Sequence, residues 1–227
     1  MITRRILLAG AGGVTIFPGT GLSAPTASNK IVITGHLGNI GSRLFAHLRE
    51  KGWIVVGVDK KNGAEHDLAF DGMPWEDNFQ RAFAVIHLAA TAGVNAPNWA
   101  YWHDNYVGMR NVVAACVRQQ VPRLIFASTT WVNPRCYGRP TPHEISEYGK
   151  SKLYGEQLVR EFASPTRCGV SIRVGWAPKP GTPRADDFAE SIRNDTPMLM
   201  AAFDDALALP AHGYQLTELA KPVGDCG

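Results

Sequence analysis

The stretch IVITGHLGNIGSRL, Ile31 to Leu44, decides the fold. A β-branched apolar run meets Gly35-x-x-Gly38-x-x-Gly41, and the residues from Ser42 to Lys51 then place Leu44, Phe45 and Leu48 at helical spacing before Gly52. A dinucleotide fingerprint needs this order. The strand must turn tightly, the backbone must approach a pyrophosphate, and a helix must begin there with its N–H groups toward the phosphates. A second strand, Trp53 to Val58, ends in Asp59, 24 residues beyond Gly35. At that place a carboxylate can accept from both hydroxyls of an adenosine ribose. Its charge repels a 2′-phosphate, so NAD is expected over NADP, although Lys60 and Lys61 soften the repulsion.

An earlier stretch, ILLAGAGGVTIFPGTG from Ile6 to Gly21, competes for the same role. It fails, because Pro18, Gly19 and Gly21 follow its glycines and no helix runs through them. Residues 1–29 read instead as an export leader. Arg4-Arg5 precede a short, glycine-diluted apolar run, and a small, polar segment from Gly19 to Asn29 offers cleavage after Ala24 or Ala27. The expected location is then the periplasm or beyond, by a twin-arginine-like route; the alternative is a leader without function on a cytoplasmic enzyme, or a misassigned start. A reporter fused to residues 1–29 should be exported, and Arg4→Lys with Arg5→Lys should block that export; a cytoplasmic reporter would refute the leader.

The 227 residues suit one domain, residues 30–227, after the leader. Apolar residues make up 45% and charged residues 19%, and a net charge of +3 is too slight and too dispersed for nucleic acid. Cys116, Cys136, Cys168 and Cys226 form no C-x-x-C pair and have no metal-ligand spacing with histidine, so free thiols are expected and no metal site. No apolar run is long enough to span a membrane.

Beyond Asp59 strands and helices alternate. Strands are expected at Phe83–Leu88, Arg123–Ser128 and Gly169–Val174, and helices at Trp99–Gln119, Ser146–Phe162, Asp186–Arg193 and Met198–Leu209. This order implies an α/β, Rossmann-type doubly wound, mostly parallel sheet. Ligands in such sheets sit beyond the carboxyl ends of the strands, where Gly35, Asp59, Leu88-Ala89-Ala90, Ser128-Thr129 and Val174 all fall.

The chemistry lies in Tyr148-Gly149-Lys150-Ser151-Lys152. Tyr148 and Lys152, four apart, share one helix face. A free tyrosine is a poor base near neutrality, and an ammonium fixed beside it stabilises the phenolate. Thr129, at a neighbouring strand end, can orient a substrate oxygen, and the three together suit proton transfer coupled to hydride transfer. His87 on its buried strand reads as a core histidine rather than a proton carrier. Asn105 reads equally as a helix cap or a support of the site. Trp99, Tyr101 and Trp102 wall a pocket, or belong to the core or a subunit contact.

From about Lys30 to Val174 the sequence resembles the extended short-chain dehydrogenase/reductases, the NAD-dependent epimerase/dehydratase family. The likeness is carried by the glycine motif, His87-Leu88-Ala89-Ala90, Asn105-Tyr106-Val107-Gly108, Phe126-Ala127-Ser128-Thr129 and Tyr148-x-x-Ser151-Lys152-x-x-x-Glu156. The resemblance implies Tyr148 as catalytic acid/base, Lys152 as its modulator and a nicotinamide-ribose ligand, and Thr129, more than Ser128, as hydroxyl donor to the substrate. It implies NAD held by Gly35, Gly38, Asn39, Ile40, Gly41, Asp59, Leu88, Ala89, Ala90, Asn105 and Val174, with Asp67-Leu68 at the adenine, and a homodimer by analogy. The loop Pro178-Lys179-Pro180-Gly181-Thr182-Pro183-Arg184 is most similar to that of uronate dehydrogenases, which implies Arg184 as a clamp on a sugar-acid carboxylate; the competing reading is a solvated loop arginine.

Trp131-Val132-Asn133-Pro134 departs from the family's Val-Tyr-Gly-like turn, and only 75 residues follow Lys152, which puts the substrate in doubt. The expected function is an NAD-dependent oxidoreductase of a sugar or sugar-acid hydroxyl/carbonyl pair. The alternatives are a nucleotide-sugar epimerase or dehydratase, and a catalytically idle NAD-binding protein.

Overall fold

Strands buried on both faces need apolar side chains at consecutive positions, and the runs at Ile31–Ile33, Ala84–Ile86 and Leu124–Phe126 supply them. A computed structural model describes residues 28–133, 137 and 145–221; the expected leader apart from Ser28 and Asn29, Pro134, Cys136 and Cys226 lie outside the described residues. Strands β1 (Lys30–Thr34), β2 (Ile54–Val58), β3 (Ala84–His87), β4 (Arg123–Thr129), β5 (Cys168–Val174) and β6 (Gly213–Glu218) form one sheet in the order β2-β1-β3-β4-β5-β6. Every neighbouring pair is parallel.

Alternation along the strands divides the core into two layers. Ile31, Ile33 and Ile125 face helices α1 (Asn39–Glu50) and α6 (Thr196–Ala208), through Leu44, Leu48, Leu199 and Phe203. Val32, Val85 and Leu124 face α3 (Gly108–Arg118) and α4 (Glu147–Phe162), through Met109, Val112, Val159 and Phe162. A short helix, α2 (Asn98–Ala100), runs through a π-helical stretch (Tyr101–Val107) into α3, and α5 (Asp187–Ser191) precedes α6. No helix among the described residues is long and apolar enough to cross a membrane.

Three features differ from the expectation. Helix α1 begins at Asn39, not Ser42. A Cβ on Gly41 would stand 2.2 Å from the Gly35 oxygen, so the third glycine is already inside the first turn, pressed against the strand end. Strand β6 was not foreseen. It lies at the sheet edge, fully buries none of its six residues, and interleaves Tyr214 and Leu216 with Gln215 and Thr217. The pattern at Asp186–Arg193 closes only a five-residue helix.

Because β2 lies on one side of β1 and β3 on the other, the strand order reverses above Thr34. The crevice that this reversal opens at the carboxyl ends is where a doubly wound sheet takes its ligand.

Candidate active site

Two adjoining clefts lie over the reversal, and both are lined by Gly35, Gly38, Leu88 and Ala90. One, about 180 Å³, adds Asp59, Lys60, Lys61, His66, Asp67, Leu68, Ala89 and Asp104. The other, about 290 Å³, adds Asn39, Ile40, Gly41, Ser128, Thr129, Tyr148, Lys152 and Val174. Of the residues that the resemblance assigns to cofactor, substrate or catalysis, all but Asn105 and Arg184 line one cleft or the other, and His87, Trp99, Tyr101 and Trp102 line neither.

The glycine loop is shaped by close approach. Gly35 has φ +74, and a Cβ there would lie 2.6 Å from the Ala89 nitrogen, so no other residue fits without strain. The loop therefore offers backbone, not side chains, to the cleft, and helix α1 starts beneath it with no side-chain cap. Asp59, buried at the end of β2, accepts from Leu37 N at 3.1 Å and from Lys61 N at 3.0 Å. A carboxylate has about four lone-pair directions, so two remain for a ligand. A bare glycine cradle at one end and an acid at the other fit a dinucleotide. The Asn39 side chain is tied within the protein, donating to Ala177 O at 2.7 Å and accepting from Arg43 Nη2 at 3.3 Å.

In the second cleft three side chains of α4, spaced by four, secure the last three residues of β4. Tyr148 hydrogen-bonds Thr129. Lys152 Nζ donates to Ala127 O at 2.8 Å, and Glu156 accepts from Ser128 Oγ at 2.5 Å. Two glycines let the helix approach so closely. A Cβ on Gly149 would lie 2.4 Å from Trp131 O, and one on Gly155 2.4 Å from the Phe126 ring. Ser146 caps α4 by accepting from Gly149 N.

The electrostatics differ from the sequence-based expectation. Burial pushes the Tyr148 phenol up to about 12, against the lowering effect of Thr129, and burial brings Lys152 down to about 7. The ammonium rests 4.7 Å from the Phe126 ring and 5.9 Å from the Tyr148 ring, with its bond made to a carbonyl. Tyr148 is therefore a neutral phenol at pH 7, with the Lys152 nitrogen 5.9 Å from its ring. His87, held near 3 by burial and by Lys152, bonds Thr34 Oγ1 through Nδ1 at 2.7 Å and stays in the core.

Asn105 does not cap a helix. Buried in the π-helical stretch, it donates to Thr91 O and Ser151 Oγ and accepts from Thr91 N, which ties the loop after β3 to α4. Arg184 stands in the loop with its side chain 74% exposed and paired to Asp187 at 2.7 Å. Tyr101 is buried, its hydroxyl donating to Gly93 O, whereas Trp99 and Trp102 are exposed. The partnership of Ser128 with Glu156 escaped the sequence reading, although Glu156, one turn beyond Lys152, was already within the motif.

A model of the NAD dependent epimerase/dehydratase family matches residues 31–191. An L-arabinose 1-dehydrogenase (NAD(P)(+)) from Haloferax volcanii is 28% identical over 171 residues, which are 65% of this chain and 66% of that protein. Among solved structures, MoeE5 in complex with UDP-glucuronic acid and NAD superposes with TM-score 0.67 at 22% identity, over 84% of this chain and 76% of that one. A mutated uronate dehydrogenase superposes with TM-score 0.66 at 20% identity, over 86% and 75%. The chain spans between 42% and 67% of the length of the curated relatives compared.

Proposed function

The chain belongs to the NAD dependent epimerase/dehydratase family, and on that premise we propose that it is an NAD-dependent oxidoreductase acting on a hydroxyl/carbonyl pair of a sugar or sugar acid. The observation that carries the proposal is the meeting of Thr129, Tyr148 and Lys152 in a cleft continuous with the glycine loop. NAD held by the glycine loop, Asp59 and Val174 would supply the hydride acceptor or donor. Tyr148 exchanges a proton with the substrate oxygen at its phenol, Thr129 orients that oxygen, and Lys152 holds the strand end and the charge beside the phenol. In the reductive direction the neutral phenol is already a proton donor at pH 7.

The test is to incubate the purified chain with NAD and a panel of aldoses and uronic acids while following NADH absorbance. Turnover of any of them supports the reading. Redox-neutral conversion of a UDP-sugar without NADH release would favour an epimerase or dehydratase instead. NAD binding with no conversion of any kind would favour the idle protein.

Asp59 is proposed to set the preference for NAD. The unmutated chain should bind NAD more tightly than NADP. Asp59→Ala removes two loop bonds as well as the ribose acceptor, so both affinities should fall, NAD by the larger factor of roughly ten. Equal dissociation constants in the unmutated chain would refute this role.

A further inference from the structure

The first cleft holds a cation that is already engaged. Lys60, directly after Asp59, and Asp104, in the π-helical stretch, both line it. Lys60 Nζ lies 2.8 Å from each oxygen of Asp104. The same carboxylate accepts from Thr91 Oγ1 at 2.6 Å and lies 2.8 Å from His103 Nδ1. Its side chain is only 13% exposed, against 54% for Lys60. Asp104 is therefore the fixed member of the pair, and Lys60 the member that can swing away.

We infer that Asp104 is a specificity-determining residue for the dinucleotide, one that withholds Lys60 from a 2′-phosphate and so favours NAD over NADP. The inference rests on the reading of the cleft as a dinucleotide site. Its logic is electrostatic. In sites of this kind an acid at the place of Asp59 selects the free ribose hydroxyls, while a cation nearby accommodates a phosphate. Here the acid and the cation are consecutive residues, and read in sequence they work against each other. In the fold the conflict is eased at Lys60, because the carboxylate of Asp104 occupies its ammonium before any ligand arrives, while Lys61 stays in the lining. Asp104 is itself held by Thr91, which Asn105 fixes in turn, so the clamp belongs to the wall of the cleft and does not follow the lysine. An exposed ion pair is weak, so the clamp biases the choice and does not forbid the other dinucleotide.

The experiment is calorimetric titration of the full chain with NAD and with NADP at one fixed, low salt concentration. Asp104→Asn should raise NADP affinity about five-fold, the scale of one exposed ion pair, and change NAD affinity less than about two-fold. Adding Lys60→Gln to that variant should remove the gain, because the released ammonium is what reaches the phosphate. Lys60→Gln alone, a surface change, should alter NADP affinity less than about two-fold, since the cation it removes is already engaged. An unchanged NADP affinity in Asp104→Asn, with NAD still bound, would overturn the inference. So would a gain that survives in the double variant, which would mean that Asp104 acts by direct repulsion. Should Asp104→Asn fail to fold, Lys60→Gln alone decides, because a ten-fold loss of NADP affinity there would show the lysine reaching the phosphate with the clamp in place. If the unmutated chain bound neither dinucleotide, the reading of the cleft would fail and this inference with it.

Discussion

Tyr148→Phe should lower kcat by about 10²- to 10⁴-fold, the usual contribution of a positioned proton donor or acceptor, and leave NAD affinity nearly unchanged. The ring stays in place, and only the group that exchanges the proton is removed. The fold should tolerate the change, because the hydroxyl that loses its partner, Thr129 Oγ1, still accepts from Trp131 N. Steady-state kinetics beside a binding titration separates the two effects. Substantial residual turnover would mean that another group carries the proton. The direction of the phenol's shift adds a second readout. With Tyr148 raised to about 12, the phenol must first lose its own proton before it can accept the one that oxidation takes from the substrate hydroxyl, so kcat/KM for oxidation should climb as pH rises above 7. In Tyr148→Phe the climb should vanish. A pH-independent oxidation in the unmutated chain would contradict this role.

The Tyr148/Lys152 pair could be read in sequence because four-residue spacing on a helix is a local property, and the same holds for the glycine loop and for Asp59 at a strand end. What could not be read depends on residues far apart in the chain. Lys60 and Asp104 are separated by 44 positions, Ser128 and Glu156 by 28, and Asn105 and Ser151 by 46. No periodicity reports such pairs. The ionisation of the site depends on the fold for a related reason. Sequence places an ammonium beside a phenol, but only the fold shows that both are buried and that the ammonium is bonded to Ala127 O. Strand β6 was missed because an edge strand needs one partner and little apolar surface, so Gly213–Glu218 carries no strong signal. The central strands were plain, since burial on both faces leaves a continuous apolar run.

Glu156→Ala should destabilise the chain by about 3–5 kcal/mol, through the loss of one partner from a buried ion pair. The carboxylate is buried and fully used. Its Oε1 accepts from Ser128 Oγ and from Arg173 Nε at 2.8 Å, and its Oε2 accepts from Arg173 Nη2 at 2.9 Å. This fork, first among its causes, raises the Arg173 pKa above the ordinary guanidinium value. Removal of the carboxylate leaves Arg173 with Glu218, 2.7 Å away at the sheet edge, and strands the Ser128 hydroxyl. For a chain of this size the cost corresponds to a fall in Tm of roughly 6–20 °C. Replacing both Glu156 and Arg173 by leucine should recover part of the loss, because it removes a buried charge left with one partner of two, although Glu218 then loses its own. Thermal melts of the single and double variants decide between the two accounts: if the double variant were as unstable as the single one, the cost would be one of packing. Activity should respond differently from stability. Glu156 holds Ser128, the neighbour of Thr129, and stands one turn beyond Lys152 on the same face of α4, so the double variant should fold yet leave the end of β4 less firmly placed. Its kcat should therefore fall while NAD affinity, set by the glycine loop and Asp59, holds. Full activity in the stable double variant would show that the ion pair serves the fold alone.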